Sequence, residues 1–353
     1  MAVLLAFATL GGTASAAPAS WTFSRTPHAT PGLTQVSCPA ARSCLALTEG
    51  DPEHVLQWNG RRWTVQSTSP RFAGSLDCPT TTMCVAVGLA GDRASADTWN
   101  GAEWTPSTVP GPGGYSELDG VSCVSATWCM AAGRGSRDAF FERFDGSKWT
   151  LVAAPMSLHG NAMYDVSCTS ETHCVAVGVT FSCRTCHMAT TRAETWDGEQ
   201  WTATHAPPNL PGGANVLLHV SCGAPDRCLA VGQHDEGASN DPLVEQWNGH
   251  RWKLLTDPVP PGAMGSHVDD VSCAHGVNCV AVGTWYGPNG SGTFGQLIAA
   301  WNGTVWSYPD VEVHPSGWLH GVDCFDVRHC VAVGTDDRPN DRPLAFVGAP
   351  STS

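Results

Sequence analysis

Three or four positions before a cysteine that is followed six places later by a second cysteine, the sequence carries Asp119, Asp165, His219, Asp269, Asp270 and His320. Gln35 and Ser75 hold the same place in two further copies. Carboxylates gathered from separate segments raise one another's pKa and can divide the roles of acid and base in glycoside hydrolysis, or hold Ca²⁺ through oxygen. The same residue type also accepts backbone N–H groups where strands begin. The candidate catalytic residues are therefore Asp119, Asp165 and Asp270, and the candidate ligand contacts are His219, Asp269 and His320. Trp285 and Trp318, with Trp128, stand outside the repeated tryptophan positions and offer faces on which a sugar ring can stack.

A second signature is Cys183-Arg-Thr-Cys186-His187, the spacing of c-type haem attachment. Haem needs a wrapped apolar pocket and a second axial ligand, and Met188 is too close in sequence to reach the opposite face. A local Cys183–Cys186 disulfide pinning a long loop is the favoured reading. No cofactor is expected, with Ca²⁺ beside the aspartates and haem at Cys183, Cys186 and His187 as the alternatives.

The elements that must position these residues repeat. The cysteine pairs are Cys38/Cys44, Cys78/Cys84, Cys123/Cys129, Cys168/Cys174, Cys222/Cys228, Cys273/Cys279 and Cys324/Cys330, and successive first cysteines lie 40 to 54 residues apart. That period is one propeller blade of four short strands. After each second cysteine comes a buried-strand run such as Val280-Ala281-Val282, closed by glycine. A third strand then ends at Trp58-Asn59-Gly60, Trp99-Asn100-Gly101, Phe144-Asp145-Gly146, Trp196-Asp197-Gly198, Trp247-Asn248-Gly249 or Trp301-Asn302-Gly303. Each is a tight hairpin turn, and Trp63, Trp104, Trp149, Trp201, Trp252 or Trp306 opens the strand beyond it. The seventh unit, around Phe346-Val347-Gly348, has no such strand, and Trp21-Thr22-Phe23-Ser24 reads like the missing one. The expectation is an all-β, seven-bladed β-propeller closed by an N-terminal strand, with one hairpin disulfide per blade. Zinc or redox thiols suit the pattern less well, because it recurs without histidine partners.

Of 353 residues, 18 are basic and 32 acidic, for a net charge of −14. That balance argues against nucleic acid and anionic membrane as partners. Sixteen cysteines, 14 of them in a tandem pattern, suit an oxidising compartment. Residues 1–16, with the apolar run Ala2 to Leu10 and the site Ala14-Ser15-Ala16, read as a signal peptide lacking a basic start, and 17–353 as one secreted, monomeric propeller domain. Whatever does not recur is where function is sought. The loops on one face vary from blade to blade, hold many carboxylates and several aromatics, and gather Tyr115, His159, His267, His314 and Trp318. They suit a neutral sugar, a cation or a basic partner, or serve only solubility.

The Val-Ser-Cys…Cys-Val-Ala-Val-Gly pattern resembles the secreted, cysteine-stapled repeat proteins of actinobacteria over the whole mature chain. The Trp-Asn-Gly-x-x-Trp turn, one residue shorter, distantly resembles the Asp-box of sialidase-type propellers. The Tyr/Glu pair and arginine cluster of those enzymes have no counterpart here. The reading is an extracellular module that binds a glycan or protein on its variable-loop face, with a glycoside hydrolase or lyase using the channel-mouth acids as the rival.

Overall fold

The computed structural model describes residues 20–27, 30–50, 53–66, 69–71, 73–155, 160–181, 189–204, 208–235, 240–288, 292–312, 317–337 and 342–349. Seven sheets, six of four strands and one of five, form a seven-bladed β-propeller with no helix among the described residues. Blade 3 shows the plan: inner strand Ser116–Ser125, second strand Trp128–Gly135, third strand Ala139–Phe144 and outer strand Trp149–Val152, each antiparallel to the next.

The repeated cysteines bond within their own inner hairpins, as their spacing predicts. The disulfides join Cys38 to Cys44, Cys78 to Cys84, Cys123 to Cys129, Cys168 to Cys174, Cys222 to Cys228, Cys273 to Cys279 and Cys324 to Cys330. The second cysteine of each pair sits in one of seven interblade cores. Cys44, Cys84, Cys129, Cys174, Cys228, Cys279 and Cys330 are all at most 3% exposed. Their burial makes them core side chains of the architecture, the structural role expected of the hairpin disulfides. Cys183, Cys186 and His187, His159, His314 and residues 1–16 lie outside the described residues.

The turns also follow their sequence. In each, the Asn or Asp side chain accepts two backbone N–H groups, as Asn59 Oδ1 does from Arg61 and Arg62 at 3.1 Å. The following glycine holds a positive φ, +85° at Gly60, which a side chain would oppose. The flanking aromatics face each other across the turn with ring centroids 5.1 to 5.7 Å apart.

Each inner strand carries a bulge just before the residue three places ahead of its first cysteine, for example between Leu118 and Gly120. The bulge presses a carbonyl toward the second strand. A Cβ at Gly133, Gly178, Gly232, Gly283 or Gly334 would overlap that oxygen, which is why the buried second-strand run ends in glycine. Apolar cores fill the gaps between blades: Met130, Ala132 and Phe141 pack on Met163, Val166 and Ala176, and Phe141 stacks on Trp201 at 4.0 Å. Trp128 is buried in this core, so it is no sugar platform.

The ring closes where the sequence leaves it open. Ser20–Phe23 pairs antiparallel with the third strand of blade 7, Trp21 opposite Gly348 and Phe23 opposite Phe346. Trp21 is 1% exposed and lies where a Cβ on Gly348 would stand. One addition was not foreseen: Asp310–Val311 pairs parallel with Ser20 and Trp21, giving blade 7 a fifth strand.

Candidate functional site

The inner-strand bulges turn two tiers of side chains into the central channel. The residues three places before the first cysteines are Gln35, Ser75, Gly120, Asp165, His219, Asp270 and Gly321; those one place before are Ser37, Asp77, Ser122, Ser167, Ser221, Ser272 and Asp323. Most of them, with Asp119, line a polar cavity of about 210 Å³.

In the second tier each side chain reaches the next blade. The cysteine N–H of blades 1 to 7 donates in turn to Asp323 Oδ2, Ser37 Oγ, Asp77 Oδ2, Ser122 Oγ, Ser167 Oγ, Ser221 Oγ and Ser272 Oγ, over 2.6 to 3.0 Å. The result is a closed circle of interblade hydrogen bonds. Asp165 and Asp270 add two more in the upper tier, accepting from Val220 at 2.9 Å and Val322 at 2.8 Å while also accepting from Val166 and Val271. His219 stands between them, its Nδ1 3.9 Å from Asp165 and 3.6 Å from Asp270. Burial pushes Asp77, Asp165 and Asp270 up to about 7 and Asp323 to about 6, against the backbone N–H bonds that lower them.

The remaining candidates are more scattered. Asp119, at the bulge of blade 3, is raised to about 7 by burial, opposed by Arg134 at 3.4 Å; its Oδ2 has no partner. Arg134 is also bonded to Glu117 at 2.6 Å and lies over the Tyr164 ring. Asp269 and His320 occupy the bulge position of their own blades and do not line the cavity. Asp269 binds His267 Nδ1 at 3.2 Å, raising that histidine's pKa, while Gln233 meets its Nε2 at 2.8 Å. His320 faces Glu49 at 3.9 Å. No group of three or more His, Cys, Asp or Glu side chains among the described residues is arranged to hold a metal ion.

Trp285 and Trp318 lie elsewhere, on opposite faces of blade 6: Trp285 packs against the core shared with blade 5, and Trp318, from blade 7, meets Phe294 on the other face. Trp285 lies over Gly295, its cross-strand partner, where a Cβ would stand 2.8 Å from the indole. Phe294 stacks on Trp318 at 5.9 Å with the rings 7° from parallel, and Tyr286 is paired with Phe294. Tyr286, Phe294 and Trp318 are 38 to 40% exposed, an aromatic surface beside the loops of the variable face. A groove of about 600 Å³ runs below it, bordered by Trp285, Phe294, Ile298, Tyr308 and Asp310.

Two sets of residues escaped the sequence reading. Asp77 and Asp323 replace the serine of Val-Ser-Cys, a departure visible in the repeat itself. Asp97, Glu142, Glu194 and Glu245, each two places before a turn aromatic, are buried between blades 1 to 5. Glu142 accepts from Gly111 N–H and Glu194 pairs with Arg192, whereas both oxygens of Glu245 lack a partner.

No protein-family model and no curated protein matches the chain. Solved structures do. YCF48 bound to D1 peptide superposes with a TM-score of 0.59 at 13% identity, over 96% of this chain and 98% of that one. The WD40 propeller domain of Doa1 gives 0.61 at 12%, over 94% and 98%. The GH74 xyloglucanase from Xanthomonas campestris gives 0.60 at 13%, over 93% of this chain and 55% of that one. The chain shares the β-propeller fold with all three.

Proposed function

We propose that the chain is a secreted binding protein that docks a glycan or protein ligand on its variable-loop face, at the aromatic surface of blades 6 and 7. The observation that carries this reading is a division of labour. The channel carboxylates Asp77, Asp165, Asp270 and Asp323 all accept backbone N–H groups across blade junctions, while the exposed rings of Phe294 and Trp318 stack only on each other among the described residues. A carboxylate fixed by two N–H donors is poorly placed to pass a proton to substrate. Seven disulfides fit an oxidising compartment and support secretion. The peptide-bound YCF48 and the xyloglucanase illustrate that the fold hosts ligands of both kinds.

The rival reading, a glycoside hydrolase, draws on one residue, Asp119, which has a free buried oxygen and a pKa near neutrality. A panel of polysaccharides incubated with wild type and Asp119→Asn separates the two. Binding predicts no reducing ends from either protein. Release of reducing ends that disappears in Asp119→Asn would establish hydrolysis instead.

A further inference from the structure

The outer edge of blade 6 differs from every other. Elsewhere the residue three places after the outer-strand tryptophan closes that edge. The N–H groups of Gln66, Thr204, Leu255 and Ser24 donate to the carbonyls of Val55, Ala193, Val244 and Ala345 at 2.8 to 3.0 Å, and Ser107 and Val152 pair with Ala96 and Phe141. In blade 6 the equivalent residue is Pro309, which has no N–H. Its outer strand is accordingly only Trp306–Ser307, and the chain departs to pair as Asp310–Val311 with blade 7. The carbonyl of Ile298 meets no donor among the described residues.

Two residues further up the third strand the same contrast recurs. The outward N–H of Ala94, Ala139 and Thr191 is capped by Ser116 Oγ, Asn161 Oδ1 and Asn209 Oδ1 at 2.7 to 3.1 Å. Blades 5 and 7 place Pro242 and Pro343 there and have no N–H to cap. Blade 6 has Gln296, whose side chain bonds Gly317 but whose backbone N–H meets no acceptor among the described residues. By strand alternation Phe294, Gln296 and Ile298 present N–H and C=O outward, along about 14 Å of edge, into the groove of about 600 Å³.

We infer that this edge takes an extended segment of another protein as an added strand. The inference rests on the proposed binding reading and names its ligand. A donor and an acceptor repeated every second residue match a polypeptide backbone, not the irregular hydroxyls of a sugar. Proteins blunt such edges, and this chain closes the outward carbonyl with a residue bearing an N–H in its six other blades and caps or removes the outward N–H in blades 2, 3, 4, 5 and 7. Trp285, Phe294, Ile298 and Tyr308 provide the walls for apolar side chains at alternating positions. Asp310 in the groove and a net charge of −14 favour a neutral or basic segment over an acidic one.

The test selects ten-residue peptides from a displayed random library on the full chain and titrates the best binder against variants. Gln296→Pro removes the outward N–H using the residue that blades 5 and 7 already carry there, and Pro309→Thr restores the donor that closes blade 4. Each should weaken the peptide at least tenfold with little change in melting temperature, and Trp318→Ala should weaken it as well. Several outcomes overturn strand addition. Peptide affinity unchanged in both edge variants does so, as does a library that yields no binder. Amides of Gln296 and Ile298 already protected from hydrogen exchange in the peptide-free chain would mean that the chain covers its own edge. If a glycan array instead shows a ligand lost with Trp318→Ala alone, strand addition fails while the binding reading stands. Binding of any probe that ignores Trp318→Ala as well removes that reading too.

Discussion

Glu245 lies at 0% exposure between blades 4 and 5 with neither oxygen paired, and burial pushes its pKa from 4.5 up to about 8. The folded state therefore binds this proton more tightly than the unfolded chain. Its contribution to stability is complete below about pH 4.5 and is lost as the pH climbs through about 8. At about 1.36 kcal/mol per unit, the loss between pH 4 and pH 8 is about 4 kcal/mol. Glu245→Gln keeps the shape and removes the titration. At pH 5 the variant should melt with wild type. At pH 8 it should be more stable by about 4 kcal/mol, or about 5 °C for 353 residues at ~2.1 cal/mol/K of unfolding entropy each. Calorimetry at the two pH values checks this, and the other buried acids cancel in the comparison. Equal melting points at both values, or the same shift at both, would refute the assignment of a buried, unpaired carboxyl.

Three further outcomes follow from the architecture. Ser167→Ala leaves the N–H of Cys222 without its acceptor and should cost about 1–3 kcal/mol in chemical denaturation without touching ligand affinity. Trp21→Ala empties the closing strand of a side chain that is 1% exposed, and should cost about 3–5 kcal/mol and lower the melting temperature; unchanged stability would mean that the ring does not depend on this strand. Replacing Cys123 and Cys129 together by serine should cost about 2 kcal/mol by the chain-entropy model, and non-reducing peptide mapping of wild type should return that link within its own hairpin.

The blade count, the hairpin disulfides, the Asn-Gly and Asp-Gly turns and the closing strand could all be read from the chain because each is a local rule repeated six or seven times, with Trp21 as the one displaced copy. Which acids meet could not. A single bulge residue separates Asp119, Asp269 and His320 from the upper channel tier of Asp165, His219 and Asp270, and the cysteine count places both sets alike. Asp77 and Asp323 escaped because function was sought before the repeat rather than inside it. The open edge of blade 6 depends on Pro309, one residue whose meaning emerges only when its six equivalents are seen to donate an N–H. Trp285 and Trp318 stand 33 positions apart in the sequence. The cross-strand fit of Trp285 on Gly295 and the stack of Phe294 on Trp318, which set the two on opposite faces of blade 6, are tertiary.

The claim that the aromatic surface binds while the channel is architecture is tested most directly by calorimetric titration of one ligand, peptide or glycan, into Trp318→Ala and Asp165→Asn side by side. The account predicts that Trp318→Ala weakens the ligand at least tenfold at unchanged stability, whereas Asp165→Asn lowers stability and leaves affinity as in wild type. The reverse pattern, affinity lost with Asp165→Asn and kept with Trp318→Ala, would contradict it.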